Sequence, residues 1–331
     1  MKTVYPVHLK DNGKVTFKTV ETAVYGADGL TTADHIAALQ DAYSALNSAI
    51  GVSATSLTNL SDDVDALSKY VGYNGYIKDI AYKGLSKYAP ENTMPAFKLA
   101  LQNGFKYIYA DVKYTSDGTG VILHDSTIDK TARDSNGNAV TGDITTLTYD
   151  QVSQYDFGRW FYNTPTNIKI PTVNELLRFC KLTGAHPYLH FNFDLKVETN
   201  AAYIHDMVDR AIRYGMTKDI TWASFTFDNL QLVRERLPFA RVCFMTNFVN
   251  EDVIRDVTYL KENNGTGEVV ICSGSYSAPA VNLCRTADIP MEVFVVDDPS
   301  LITDANSYVS GVVTSGYPIS KQLIERTFAE Y

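Results

Sequence analysis

Ile77-Lys78-Asp79-Ile80-Ala81-Tyr82 is a short β-prone run. It is followed by an amphipathic stretch at 93–103 and by a second β-prone run, Lys106-Tyr107-Ile108-Tyr109-Ala110-Asp111-Val112. Strand, helix, strand in that order is the unit of a parallel sheet covered by helices. The unit recurs down the chain. Further candidate strands fall at 119–124, 187–195, 219–223, 240–245, 267–271, 291–296 and 311–314, and amphipathic segments at 172–183, 199–214, 226–236, 250–262, 276–286 and 318–328. So many parallel units favour closure over an open sheet, which predicts an α/β chain with a (β/α)₈ TIM-type barrel. There is one strand more than a barrel needs, so either 119–124 pairs as a hairpin arm or one of these strand assignments is wrong.

Working outward toward the start of the chain, Val4–Leu9 and Val15–Val20 flank the polar Lys10-Asp11-Asn12-Gly13-Lys14 and read as a β hairpin. After Thr31 and Thr32, apolar residues fall at Ile36, Leu39, Tyr43, Leu46, Ile50, Leu57, Leu60, Val64, Leu67 and Val71. Those intervals alternate three and four over about five heptads, with Ser53 the one register position that is not apolar, which is the seam of a coiled coil. Two arrangements cover such a seam: a parallel homo-oligomeric stalk, or an antiparallel hairpin broken at Gly51-Val52-Ser53. The register survives across that break, which favours the stalk, and a trimer is expected. The expected organisation is a β attachment segment at 1–30, a coiled-coil stalk and linker at 31–75, and the barrel at 76–331.

A formal charge of -9 disfavours a general polyanion surface, so nucleic acid is not an expected partner. Cys180, Cys243, Cys272 and Cys284 lie in apolar stretches without Cys-x-x-Cys spacing and read as buried thiols. The first fifteen residues carry no apolar core of an export signal, and no run approaches the about 18 apolar residues of a membrane span. A soluble chain without a standard signal peptide is expected.

Specific residues then carry a resemblance. Ala81-Tyr82-Lys83-Gly84, Ala89-Pro90-Glu91-Asn92-Thr93, Ile108-Tyr109-Ala110-Asp111-Val112, Thr115-Ser116-Asp117-Gly118 and Leu123-His124-Asp125 follow one another. Later come Ile170-Pro171-Thr172, Asp194-Leu195-Lys196, Ser224-Phe225 and Gly311-Val312-Val313-Thr314. In order and spacing they resemble the glycerophosphodiester phosphodiesterase family. The resemblance implies a barrel that cleaves a phosphodiester with two histidines and a divalent metal held by acidic residues at strand ends.

Against that pattern the chain departs at named positions. Where the family has His-Arg-Gly, Tyr82 and Lys83 stand. Tyrosine, with an ordinary pKa near 10, does not replace imidazole as a base, whereas Lys83 still offers a charge to phosphate. Where the family has Glu-x-Asp, this chain has Tyr109 and Asp111, and Asp194 replaces a glutamate. His124 is the candidate catalytic residue that remains. Asp111 and Asp194 are the candidate metal ligands, for Ca or Mg. The candidate ligand-binding residues are Tyr82, Lys83, Glu91, Tyr109, Lys196, His190 and Asn192. Tyr188, His190, Asn192, Asp194 and Lys196 alternate onto one strand face, toward the barrel interior. The long segment from Ser126 to Phe161 resembles the family's insertion over the active site, where Arg133 and Arg159 would add cations and Trp160 a lip.

The joint loss of His, Arg and Glu positions directs the expectation toward a non-catalytic or weakly catalytic binding domain. Its ligand would be a glycerophosphate polymer, teichoic acid or another host cell-surface glycan. A β segment, a coiled coil and a terminal barrel together resemble a phage tail receptor-binding protein. That resemblance implies a virion location and contacts with other tail proteins through residues 1–30. The alternative is an active metal-dependent phosphodiesterase working through His124.

Overall fold

The computed structural model describes residues 8–9, 15–16, 41, 77–191, 199–263, 265, 267–301 and 308–319. Near the start, β1 (His8–Leu9) and β2 (Val15–Thr16) pair antiparallel, His8 opposite Thr16, as a hairpin requires. The expected stalk at 31–75 lies outside the described residues except for Asp41, and so does the expected helix 318–328 beyond Ile319.

From β3 (Lys78–Tyr82) onward the units follow the sequence reading. They are α1 (Met94–Gln102), β4 (Tyr107–Tyr114), β5 (Gly120–Ile122), α2 (Tyr149–Val152), α3 (Arg159–Tyr162), α4 (Val173–Thr183) and β6 (His186–Phe191). Then come α5 (Thr199–Arg213), β7 (Thr221–Ser224), α6 (Phe227–Arg236), β8 (Arg241–Thr246), α7 (Glu251–Asn263), β9 (Val269–Ser273), α8 (Ala278–Thr286), β10 (Met291–Phe294) and β11 (Val309–Thr314). Strands β3, β4, β6, β7, β8, β9, β10 and β11 pair parallel in that order, and β11 returns to β3. The result is a closed eight-stranded barrel.

The surplus strand is explained by length. β4 meets β3 only through Tyr107–Tyr109, while its far end, Val112–Tyr114, pairs antiparallel with β5. The 119–124 run is therefore a hairpin arm above the barrel rim.

Strand periodicity sorts side chains between two cores. On β4, Ile108, Ala110 and Val112 face the helices, and Tyr107 and Tyr109 face inward. On β6, Leu189 and Phe191 pack outward with Trp222, while Tyr188 points in. The helix-side core joins these to Leu176, Met207, Val208, Leu230, Val233 and Val281. All four cysteines are buried free thiols. Low in the barrel, the fully buried Glu292 accepts from Tyr188 Oη at 2.8 Å and from Arg241 Nη2 at 2.9 Å. A buried carboxylate is tolerable there because it is paired and hydrogen-bonded.

Helix ends follow local chemistry. Thr172 and Glu175 form a reciprocal capping box that starts α4, and Gly184, at φ 71°, ends it. With these ends set, the carboxyl ends of all eight strands open on one face, the face that carries active sites in such barrels.

Candidate functional site

The loop from β3 to α1 is shaped by left-handed backbone at Lys83 (φ 57°), Gly84 (φ 79°) and Asn92 (φ 56°). A Cβ on Gly84 would lie 2.7 Å from the backbone of Ala96, so only glycine fits. Asn92 N–H donates to Lys83 O at 2.9 Å, and the closed loop holds Lys83, Glu91 and Asn92 at the mouth. Lys83 is buried, its ammonium 3.4 Å from Glu91 and 4.9 Å from the centroid of the Tyr82 ring. Lys130, from the insertion, reaches the same Glu91 carboxylate at 3.0 Å.

Asp111 is wholly buried and both its oxygens are engaged. Asn92 Nδ2 donates to Oδ2 at 2.9 Å, and His190 Nδ1 lies 2.8 Å from Oδ1. Burial opposes its charge, but the hydrogen bond and charge of His190, with Lys83 and His124, outweigh burial and hold the carboxyl below its ordinary range. His124 Nδ1 sits 2.6 Å from Asp125 Oδ1 at the rim. Asp125 is likewise held low, because the hydrogen bond and charge of His124 outweigh burial. Burial first, then Asp111 and Glu91, push the Tyr82 phenol far up, so it stays protonated.

Several expected site residues take other places. Tyr109, expected to bind ligand, is buried, with its hydroxyl 3.4 Å from Met245 Sδ and its ring 5.5 Å from Tyr82, and so lies beneath the mouth. Arg133 and Arg159, expected as cations at the mouth, hydrogen-bond loop carbonyls: Arg133 donates to those of Asp129, Lys130 and Ala132, and Arg159 to those of Ser135 and Asn136. They brace the insertion, because a guanidinium beside free loop carbonyls is drawn to them first. Trp160 donates to Phe157 O and packs edge-on to Phe161, pinning the same segment. Asn192, Asp194 and Lys196 lie outside the described residues.

Four contributors escaped the sequence reading. Lys113 continues the inward face of Tyr109 and Asp111 and is buried; burial lowers its pKa, while Asp111, Asp125 and Asp143 oppose that shift. Period two along the strand was the signal that finds it. Asn92 stands inside a quoted motif, but its bond to Asp111 spans 19 residues. Lys130 carried no local signal, and Phe225, though inside the quoted Ser224-Phe225 motif, comes against His190 only on folding.

Among the described residues the donor set does not fit the expected divalent cation; Asp194, the second expected ligand, lies outside them. The carboxylate of Asp111 is turned onto two nitrogen donors, position 109 offers a phenol, Glu91 is shared by two lysines, and Asp125 is taken by His124. A hard cation wants several oxygens free of such partners. Among the described residues the one clustered set of three ligand atoms is Cys243, Cys272 and Glu292, deep in the barrel. Arg241 and Lys78 already serve Glu292 there, and the Cys272 thiol is pushed well up by burial.

The closed (β/α)₈ barrel carries its His–Asp pair, buried lysines and paired aspartate at the strand ends, the face on which barrels of this class hold their sites. Residues 83–314 match the glycerophosphoryl diester phosphodiesterase family, and the chain belongs to that family. It is 31% identical over 166 residues to a glycerophosphodiester phosphodiesterase of Caldanaerobacter subterraneus, covering 49% of this chain and 64% of that protein. To human glycerophosphodiester phosphodiesterase 1 it is 36% identical over 106 residues, covering 31% of this chain and 30% of that protein. The chain thus spans less than two thirds of these curated relatives. Among solved structures, one described as a glycerophosphoryl diester phosphodiesterase from Silicibacter pomeroyi superposes with a TM-score of 0.67 at 20% identity, over 79% of this chain and 98% of the other. A phosphodiesterase from Oleispira antarctica, solved with sn-glycerol-3-phosphate, gives 0.65 at 22%, over 76% and 97%.

Proposed function

We propose that the mouth binds a glycerophosphodiester-type ester and hydrolyses it, with His124 as the proton-transfer residue. The observation that carries this reading is the 2.6 Å contact of His124 Nδ1 with Asp125, which orients the ring at the strand-end rim beside Lys83 and Lys130. In the step, the oxygen of a water bonds to phosphorus as the ester bond breaks. His124 places a proton on the departing alcohol and regains one from the water. Lys83 and Lys113 supply the positive charge against which phosphate negative charge is held. Family membership raises the expectation of Ca or Mg, and no step is routed through a metal because the described donors do not fit one.

The test is release of glycerol 3-phosphate from glycerophosphodiesters. His124→Ala is expected to lower turnover about 10²- to 10⁴-fold; unchanged turnover overturns the assignment.

A second reading is favoured by Tyr82, whose protonated phenol cannot take the base role of the missing histidine. In it the barrel binds a glycerophosphate polymer such as teichoic acid, or another host surface glycan, without turnover. Residues 31–75 form an oligomeric stalk and residues 1–30 attach to other tail proteins of a phage virion. Several weak sites on one stalk would then act by avidity. Binding of cell-wall polymer with no product release selects this reading.

A further inference from the structure

We propose that His190 takes the place of a cation in the mouth: its Nε2–H donates to a phosphate oxygen of the ligand, making this a metal-independent phosphoester site. The inference rests on the phosphoester reading above.

The first support is register. Asp111 and His190 are direct partners across the parallel pair of β4 and β6, both on the inward face, which brings Nδ1 to 2.8 Å from Oδ1. An ionised carboxylate only accepts, so Nδ1 carries a proton toward Asp111 and the ring is fixed with Nε2 pointing away; donation from Nε2 to phosphate uses the imidazolium form, in which both ring nitrogens are protonated and Asp111 is the counter-charge. Asp111 is itself held from the other side by Asn92, so the pair does not swing.

The second support is an orphan. His190 is 3% exposed, and its Nε2 is buried without a hydrogen-bond partner. Buried polar atoms are nearly always satisfied, and an exception at a strand-end mouth points to a missing ligand group. The ring contacts Tyr109 at 5.4 Å and Phe225 at 5.6 Å between centroids. Phe225 is 44% exposed and so marks the solvent side.

The third support is the choice between an anion and a metal. A carboxylate behind a histidine also describes a metal-ligating imidazole. That role needs further ligand atoms near Nε2, and among the described residues no clustered set includes His190. Coupled to the Asp111–His190 pair instead are the amines of Lys83 and Lys113. Amines and an N–H donor match a phosphate oxygen, not a second cation.

The experiment is calorimetric titration of the full chain with sn-glycerol 3-phosphate after EDTA dialysis and again with added Ca²⁺, Mg²⁺ or Zn²⁺. Affinity equal within about twofold in both buffers, weakened about ten- to hundredfold in His190→Ala, is expected for loss of a charge-assisted hydrogen bond. Partial recovery in His190→Gln, which keeps a side-chain N–H, supports donation. Binding only with a divalent ion overturns the inference and leaves the phosphoester reading standing; no binding in either buffer overturns both. In case the variants fail to fold, long-range ¹H–¹⁵N spectra of the unmutated protein read the imidazole directly. Phosphate should shift the Nε2 resonance while Nδ1 stays protonated, and an unmoved Nε2 overturns the proposal.

Discussion

Asp111 concentrates the chemistry of the mouth on one buried side chain, and its titration has a definite sign. The folded carboxyl lies below the ordinary 3.8 because His190, Lys83 and His124 outweigh burial. A depressed carboxyl contributes stability that is fully present above the unfolded value and is lost as pH falls through the folded value. Asp111→Asn should therefore cost about 3 kcal/mol near neutral pH, the scale for breaking a buried ion pair. The gap to the parent protein should narrow in acid below 3.8. Denaturant unfolding at pH 7, 5 and 3 checks this; a gap that widens in acid contradicts the assignment. Tyr82 shows the opposite logic: a neutral group whose phenol is pushed up keeps its proton across the working range and acts only as a donor or a surface.

At the scale of elements, the insertion after His124 is a small folded unit with its own core of Ile128, Ile144, Val152, Phe157 and Ile170. Asp156 is its hub. Oδ1 accepts from Gly158 N and Arg159 N, Thr166 Oγ1 reaches the same oxygen, and Oδ2 accepts from Thr166 N and Asn167 N. Phe157 and Ile170, with Glu91, Asn92 and Thr131, line the small space behind His124, so the hub supports the rim histidine indirectly. Asp156→Ala should raise limited proteolysis within 156–168 about tenfold while the barrel's circular dichroism is retained. Unchanged cleavage removes the hub role. The existence of this segment was legible, since Asp, Thr, Asn and Gly in a long stretch between strand and helix mark a built loop. Its internal wiring was not, because Arg133 and Arg159 choose between solvent, ligand and carbonyl only after the loop has closed.

For the whole molecule, barrel closure places eight strand ends on one face, and the stalk proposed at 31–75 would set how many such faces act together. If the heptads from Ile36 to Val71 assemble as proposed, light scattering of the full chain will give three times 36.7 kDa, and a chain beginning at Ile77 will give a monomer mass. A monomer for the full chain removes the stalk and the avidity argument with it. Sequence alone determined the order of strands and helices, the extra hairpin arm as one of two options, and the Tyr82, Lys83 and Tyr109 departures. All of these are local in the chain and follow from periodicity of two or 3.6 and from residue identity. Tertiary structure decided that His190 faces Asp111 across 79 residues, that Lys113 and Lys130 join the mouth, and that Arg133 and Arg159 leave it. Those outcomes depend on which strands become neighbours and which polar groups reach a partner first, and only closure of the barrel sets that.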